Sequence, residues 1–264
     1  MINCKLEEVV CDGNVLHLKG FGYIVGRPVP DYGIAKFTIS AASRDFSCKF
    51  NVGSFKRKDK ENVGGTNYRC SGFMDYRAAG IDIQRLPFGI YKLRMKIQHH
   101  NVVEEAILPY VKRQSRALFS AKGVLKVVNI GSCAYLSYVN PVSAFKPNLF
   151  NITSKEGTAT NIGYSGQFVV YGQTNVSSGD VDFILVLTER NDPSRIVHMD
   201  YLASCVKKNT IKLDVEGLYD YSCFETVDNN GVDVSNLHNG SYDVYISMIS
   251  GPYVWSQFVE TITI

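Results

Sequence analysis

The chain has 264 residues, 45% of them hydrophobic and 20% charged, with 28 Lys and Arg against 25 Asp and Glu for a net charge of +3. Length and apolar content suffice for two separate cores, while the composition excludes a disordered chain and the near-neutral balance argues against a nucleic-acid binder. No apolar run reaches the roughly 18 residues of a membrane-spanning helix, and the N-terminus MINCKLEEVV lacks the n- and h-regions of a signal peptide, so a cytoplasmic protein is expected.

In chain order, Leu16–Leu18, Tyr23–Val25, Ala35–Ile39 and Phe46–Phe50 are short runs rich in β-branched and aromatic residues, bounded by Gly, Pro, Asp or Ser, and read as strands. Gly20-Phe21-Gly22 stands before a strand rather than a helix and cradles no phosphate. The run Lys56-Arg57-Lys58-Asp59-Lys60 reads as a solvated hairpin tip whose Lys56, Arg57 and Lys58 could meet phosphate groups on a polymer. Ile90–Ile97 alternates apolar and basic residues with period two, as a half-buried strand does. His99-His100 is expected at the surface, because neighbours on a strand face opposite sides and cannot chelate one ion.

Residues 113–150 form a basic linker with 5 cationic and no acidic residues. Within it VLKVVNI and CAYLSYV read as strands that either extend the first domain or dock the two domains together. Beyond it, Gln167–Tyr171, Val181–Thr188, Arg195–Met199, Thr210–Leu213 and Ser241–Met248 repeat the strand pattern.

They repeat it because the chain contains one module twice. Tyr68–Met95 matches Tyr219–Ile246 at an offset of 151, pairing Phe73 with Phe224, Gly80 with Gly231, Asp82 with Asp233, Leu86 with Leu237, Gly89 with Gly240 and Tyr91 with Tyr242. Upstream, an offset of 146 pairs Gly26 with Gly172 and Phe37 with Phe183. This spacing implies two similar domains. The expected fold is all-β, two tandem immunoglobulin-like β-sandwiches over 1–112 and 151–264. The shared signature G-[IV]-D-[IV]-x-x-L-x-x-G-x-Y reads as a corner in which a strand crosses over and returns, with the tyrosine hydroxyl bonded to backbone.

Charge is not shared equally between the copies. Residues 1–112 carry 17 basic against 11 acidic residues, and 151–264 carry 6 against 14. Drift after duplication, electrostatic pairing within or between chains, and apposition of the basic half to an anionic polymer all remain open. The seven cysteines have no C-x-x-C spacing and do not recur at matched positions, which favours reduced thiols.

No P-loop, nucleophile elbow, H-E-x-x-H or dinucleotide fingerprint is present. Asp228–Asp233 lacks the spacing and closing glutamate of a calcium loop. Neither a metal nor another cofactor is expected, and the protein is expected not to be an enzyme. Binding is better supported: tyrosine, with 16 copies, offers a flat apolar face and a hydroxyl. Tyr253 and Trp255 share one face of the last strand, unless Trp255 plugs the core. Tyr32, Tyr76 and Tyr201 lie in loop-like contexts.

The frame of spaced glycines, Y-x-x-x-x-F and then G-I-D-I-x-x-L-x-x-G-x-Y-x-L, over roughly 12–108 and 160–262, resembles accessory β-sandwich domains of Gram-positive cell-surface glycopolymer enzymes. Those include CDP-glycerol glycerophosphotransferases and wall teichoic acid glycosyltransferases. The resemblance implies a non-catalytic role, binding carbohydrate or anionic glycopolymer, or scaffolding a glycopolymer-synthesising enzyme that would hold the protein peripheral to the membrane. The catalytic motifs of that family are absent, so no catalytic residue carries over. Two alternatives stand beside this reading: a pure homo-oligomerisation module, which would expose a contiguous apolar patch, and a carbohydrate-active enzyme with an unrecognised carboxylate pair.

Overall fold

The computed structural model describes residues 1–75, 80–112, 116–142, 149–155, 161–169, 181–205, 223–227, 231–250 and 253–264. The protein is all-β, and the chain divides into two compact units, 1–120 with 125–138, and 121–124 with 139–264. Among the described residues no helix is long and apolar enough to cross a membrane.

In the first unit, β1 (Ile2–Asp12), β2 (Val15–Ile24), β5 (Gly72–Asp75) and β4 (Ser47–Phe55) lie side by side, followed by β3 (Ala35–Ala42) and β7 (Gly89–His99). The edge of β7 is shared. β8 (Val102–Ile107) pairs with Arg94–His99, and β11 (Cys133–Val139) pairs with Gly89–Lys92. β10 (Val124–Ile130) and β9 (Leu118–Phe119) continue outward from β11. The strands predicted between the copies therefore extend the first sheet.

This is the immunoglobulin order, β1, β2, β5 and β4 in one layer and β3, β7 and β8 in the other, with the β3–β4 hairpin carrying the ladder across and β11, β10 and β9 added beyond β7. The layers share one core: Leu6, Leu16, Leu18 and Phe73 from the first meet Phe37, Ile39, Leu93 and Met95 from the second. The two short runs predicted at 16–18 and 23–25 are one strand. Gly20 sits inside β2, where an added Cβ would come 2.1 Å from the Lys5 carbonyl oxygen and 2.7 Å from the Phe73 ring. The glycine marks a close approach, not a strand end.

The second unit repeats the order with β12 (Leu149–Lys155), β13 (Asn161–Val169), β16 (Cys223–Glu225), β15 (Asp192–Cys205), β14 (Val181–Glu189), β18 (Ser241–Ser250) and β19 (Tyr253–Thr263). Its core joins Tyr164 and Phe224 to Phe183, Leu185, Val244 and Ile246, and the Phe183 and Phe224 rings lie 5.3 Å apart. The segment predicted as a strand at 210–213, the anchor Gly172 and residues 228–230 of the acidic turn lie outside the described residues.

The repeated signature forms the same corner twice. β6 (Ile81–Asp82) pairs with β2, and β17 (Val232–Asp233) pairs with β13. Asp82 accepts from the Gln84 amide at 3.0 Å, and Asp233 from the Ser235 amide at 2.9 Å. Leu86 and Leu237 each donate a backbone bond to the residue three before, at 3.0 Å in both copies. The Tyr91 hydroxyl donates to the Pro87 carbonyl, and the Tyr242 hydroxyl to the His238 carbonyl at 2.6 Å. Gly80 and Gly231 hold φ of +59° and +74°, a region that penalises any Cβ.

Candidate functional site

Alternation along β3 and β7 settles which residues form the outer face of the first unit. Ala35, Phe37, Ile39 and Ala41 point into the core, as do Tyr91, Leu93, Met95 and Ile97. Lys36, Thr38, Ser40, Lys92, Arg94, Lys96 and Gln98 therefore face outward, all exposed or half-buried. Pairing then adds β4 and β8 to this face. Lys49 lies opposite Ser40, which lies opposite Arg94; in the next row Asn51, Thr38, Lys96 and Glu105 follow one another.

The result is a surface of five cations (Lys36, Lys49, Lys92, Arg94 and Lys96) interleaved with hydroxyls and amides. No cation lies directly opposite another: Ser40 separates Lys49 from Arg94, and Thr38 lies between Asn51 and Lys96. Along β7 the cations recur every second residue, about 6.8 Å apart. Glu105 is the acid in these rows, and it is taken up by Arg94 at 2.7 Å. Its neighbour Glu104 instead pairs with the N-terminal ammonium at 2.8 Å. Positive charge with adjacent donors on a rigid sheet suits a chain of anionic groups.

The residues singled out from sequence are placed elsewhere. Lys56 lies 5.6 Å from the centroid of the exposed Tyr32 ring, and Lys58 is exposed. Arg57 is not a solvated tip: its side chain is 15% exposed and clamped between Glu7 and Asp59, 5.2 Å from the Phe21 ring. Glu7 occupies the register shift of β1, and such a bulge re-aims a side chain. The Asp59 hydrogen bond, helped by Glu7, raises the Arg57 pKa, and the same guanidinium lowers Asp59 to about 2. The sequence offers no local signal for this clamp, because Glu7 is 50 residues away.

Trp255 packs against the second core, while Tyr253 is 64% exposed with its ring 5.9 Å from that of Trp255. Tyr201 lies within β15 opposite Ile184 rather than in a loop. Tyr76 lies outside the described residues. Tyr253 and Trp255 belong to the second unit and Lys56–Lys58 to the first.

His99 corrects the expectation of two surface histidines. It is 6% exposed, in the inward register of Ile97, and its Nε2 donates to the Pro28 carbonyl at 2.9 Å; His100, in the turn beyond, is exposed. Among the described residues no group of three or more His, Cys, Asp or Glu could hold a metal ion, and Cys4, Cys11, Cys48, Cys70, Cys133 and Cys223 are free thiols.

No protein-family model matches the chain, and no curated protein does. Among solved structures, the chain is similar to the crystal structure of residues 217–571 of TarS from S. aureus, at 11% identity and a TM-score of 0.38, covering 97% of this chain and 62% of that one. A second crystal structure of S. aureus TarS aligns at 11% identity and a TM-score of 0.37, covering 97% of this chain and 39% of that one. The chain thus spans less than two thirds of the length of either.

Proposed function

We propose that this protein is a non-catalytic tandem β-sandwich module that binds an anionic carbohydrate polymer on the outer β4–β3–β7–β8 face of its first unit, beside the enzyme that makes such a polymer. The observation that carries this reading is the concentration of Lys36, Lys49, Lys92, Arg94 and Lys96 on one open sheet face whose acid, Glu105, is already paired with Arg94. A glycopolymer with phosphodiester linkages supplies anionic oxygens for the cations and sugar or polyol hydroxyls for Ser40, Thr38, Asn51 and Gln98. The sequence frame shared with accessory domains of glycopolymer enzymes points to the same class of ligand.

The test is a titration of the whole protein with a synthetic glycerol-phosphate oligomer and, as neutral control, dextran. The oligomer binds, dextran does not, and raising salt from 50 to 200 mM weakens binding by tens of fold, as expected for about four phosphate contacts. The triple change Lys36→Gln, Lys49→Gln, Lys96→Gln, which leaves the Arg94–Glu105 pair intact, weakens binding at least tenfold without loss of thermal stability. Equal affinity in wild type and triple variant, or equal binding of dextran, would remove this face from the function.

A further inference from the structure

Two cysteines stand directly opposite each other where the β15–β16 pair begins. Cys205 closes β15, Cys223 opens β16, and the antiparallel register pairs them. Opposed residues in an antiparallel ladder have Cα atoms about 4.5 or 5.5 Å apart, according to whether the pair is hydrogen-bonded. Either spacing falls within the roughly 4.4–6.8 Å that a disulfide spans. Backbone register alone therefore meets the first requirement for a bond.

The first unit shows how the same corner is closed by other means. There the matched pair is Phe55 opposite Gly72, and a Cβ added to Gly72 would lie 2.8 Å from the Phe55 ring. The aromatic ring thus lies across its glycine neighbour. Ser54 opposite Phe73 and Ser204 opposite Phe224 fix the correspondence one position further in. The second unit has two cysteines where the first has ring on glycine. Matching cysteine to cysteine between the copies does not reveal the pair, because its counterparts are Phe and Gly.

We infer that Cys205 and Cys223 are a redox pair that a low-molecular-weight disulfide, such as glutathione disulfide, converts to an intramolecular cross-strand disulfide. The thiolate of one cysteine attacks the small disulfide and expels one thiolate. The second cysteine then attacks the mixed disulfide and expels the other. Two protein thiols and one small disulfide become one protein disulfide and two small thiols, which take up the two cysteine protons. The bond staples the ends of the 206–222 connection and restricts the unfolded chain over that loop.

The test uses the full chain, incubated with glutathione disulfide, alkylated, and digested with trypsin without reduction. Cleavage at Arg195 and Lys207 releases 196–207, with Cys205 as its sole cysteine, and cleavage at Lys212 releases 213–264, with Cys223 as its sole cysteine. The expected product is these two peptides joined, and separated by dithiothreitol. Oxidation also raises the unfolding midpoint reported by Trp255 by about 10 °C, and neither Cys205→Ser nor Cys223→Ser shows the rise. Recovery of both peptides alkylated or glutathionylated but unjoined, a link to another cysteine, or an unchanged midpoint in the oxidised wild type would overturn the inference.

Discussion

On β3 and β7 the outward positions carry Lys36, Thr38, Ser40, Lys92, Arg94 and Lys96; the matching positions of β14 and β18 carry Asp182, Ile184, Val186, Asp243, Tyr245 and Ser247. The inward residues of both pairs remain apolar and the corner between layers remains the same, bond for bond. Only the outer face changes. In the first unit it is open and cationic. In the second, Ile184, Val186, Ser247 and Ile249 are fully buried, and the Ser247 hydroxyl donates to the Pro141 carbonyl, so Pro141 lies on that face. A duplicated sandwich keeps what its core requires, while each outer face becomes either an open charged surface or a buried one according to its alternate residues.

Exchanging one residue between the faces tests this most sharply. Ser247→Lys places the first unit's Lys96 in the second, where a buried cation without a counter-ion costs about 3 kcal/mol or more. The reverse change, Lys96→Ser, costs less than about 0.5 kcal/mol. Urea unfolding followed by the fluorescence of Trp255, the single tryptophan, reports the second unit directly, and circular dichroism, which sums both units, reports the first by difference. Similar costs for the two changes would break the contrast.

A smaller difference is expected within the shared corner. A Cβ at Gly231 would meet the Ile162 carbonyl oxygen at 2.6 Å, whereas at Gly80 it would meet the Val15 side chain at 2.1 Å. Backbone cannot turn aside as a side chain can. Gly231→Ala should cost about 3 kcal/mol and Gly80→Ala about 1–2 kcal/mol, as midpoint shifts in urea. The opposite order would mean that the two corners differ in rigidity.

The smallest effect concerns the Arg57 clamp, between β4 and β5 of the first unit. Asp59 titrates lower in the folded chain, at about 2, than in the unfolded chain, so its stabilisation is complete above the unfolded value near 4. It is lost as pH falls toward 2. Asp59 itself is 53% exposed, which holds the effect below about 1 kcal/mol and makes it weaken with salt. At low ionic strength Asp59→Asn should flatten that part of the pH–stability curve, lower the plateau above pH 5 by the same small amount and meet the wild type near pH 2.

Much of this was written in local spacing. The corner is legible because Gly80, Asp82, Leu86 and Tyr91 all interact within a dozen residues, and the second copy confirms each position. Alternation of Lys92, Arg94 and Lys96 with Leu93 and Met95 likewise gives β7 its two faces. What local pattern cannot supply is the neighbour across the ladder. Lys36 and Lys49 join the basic face only through register with β7, and Arg57 is withdrawn from solvent by a bulge residue in β1. His99 is buried because Pro28, far back in the chain, supplies its carbonyl. Each depends on pairing between distant segments, which residue type alone does not determine.

The shared edge of β7 separates the unit of duplication from the unit of folding. The repeat ends near residue 108, yet on the edge away from β3 Gly89–Lys92 pair with Tyr135–Tyr138, beyond the repeat. During vectorial synthesis the first sheet is left with an open stretch of edge until some 30 further residues have emerged from the ribosome. A cut at the repeat boundary would leave the same stretch permanently open, as a template for pairing with another chain. The strands between the copies thus close the edge of the copy that precedes them.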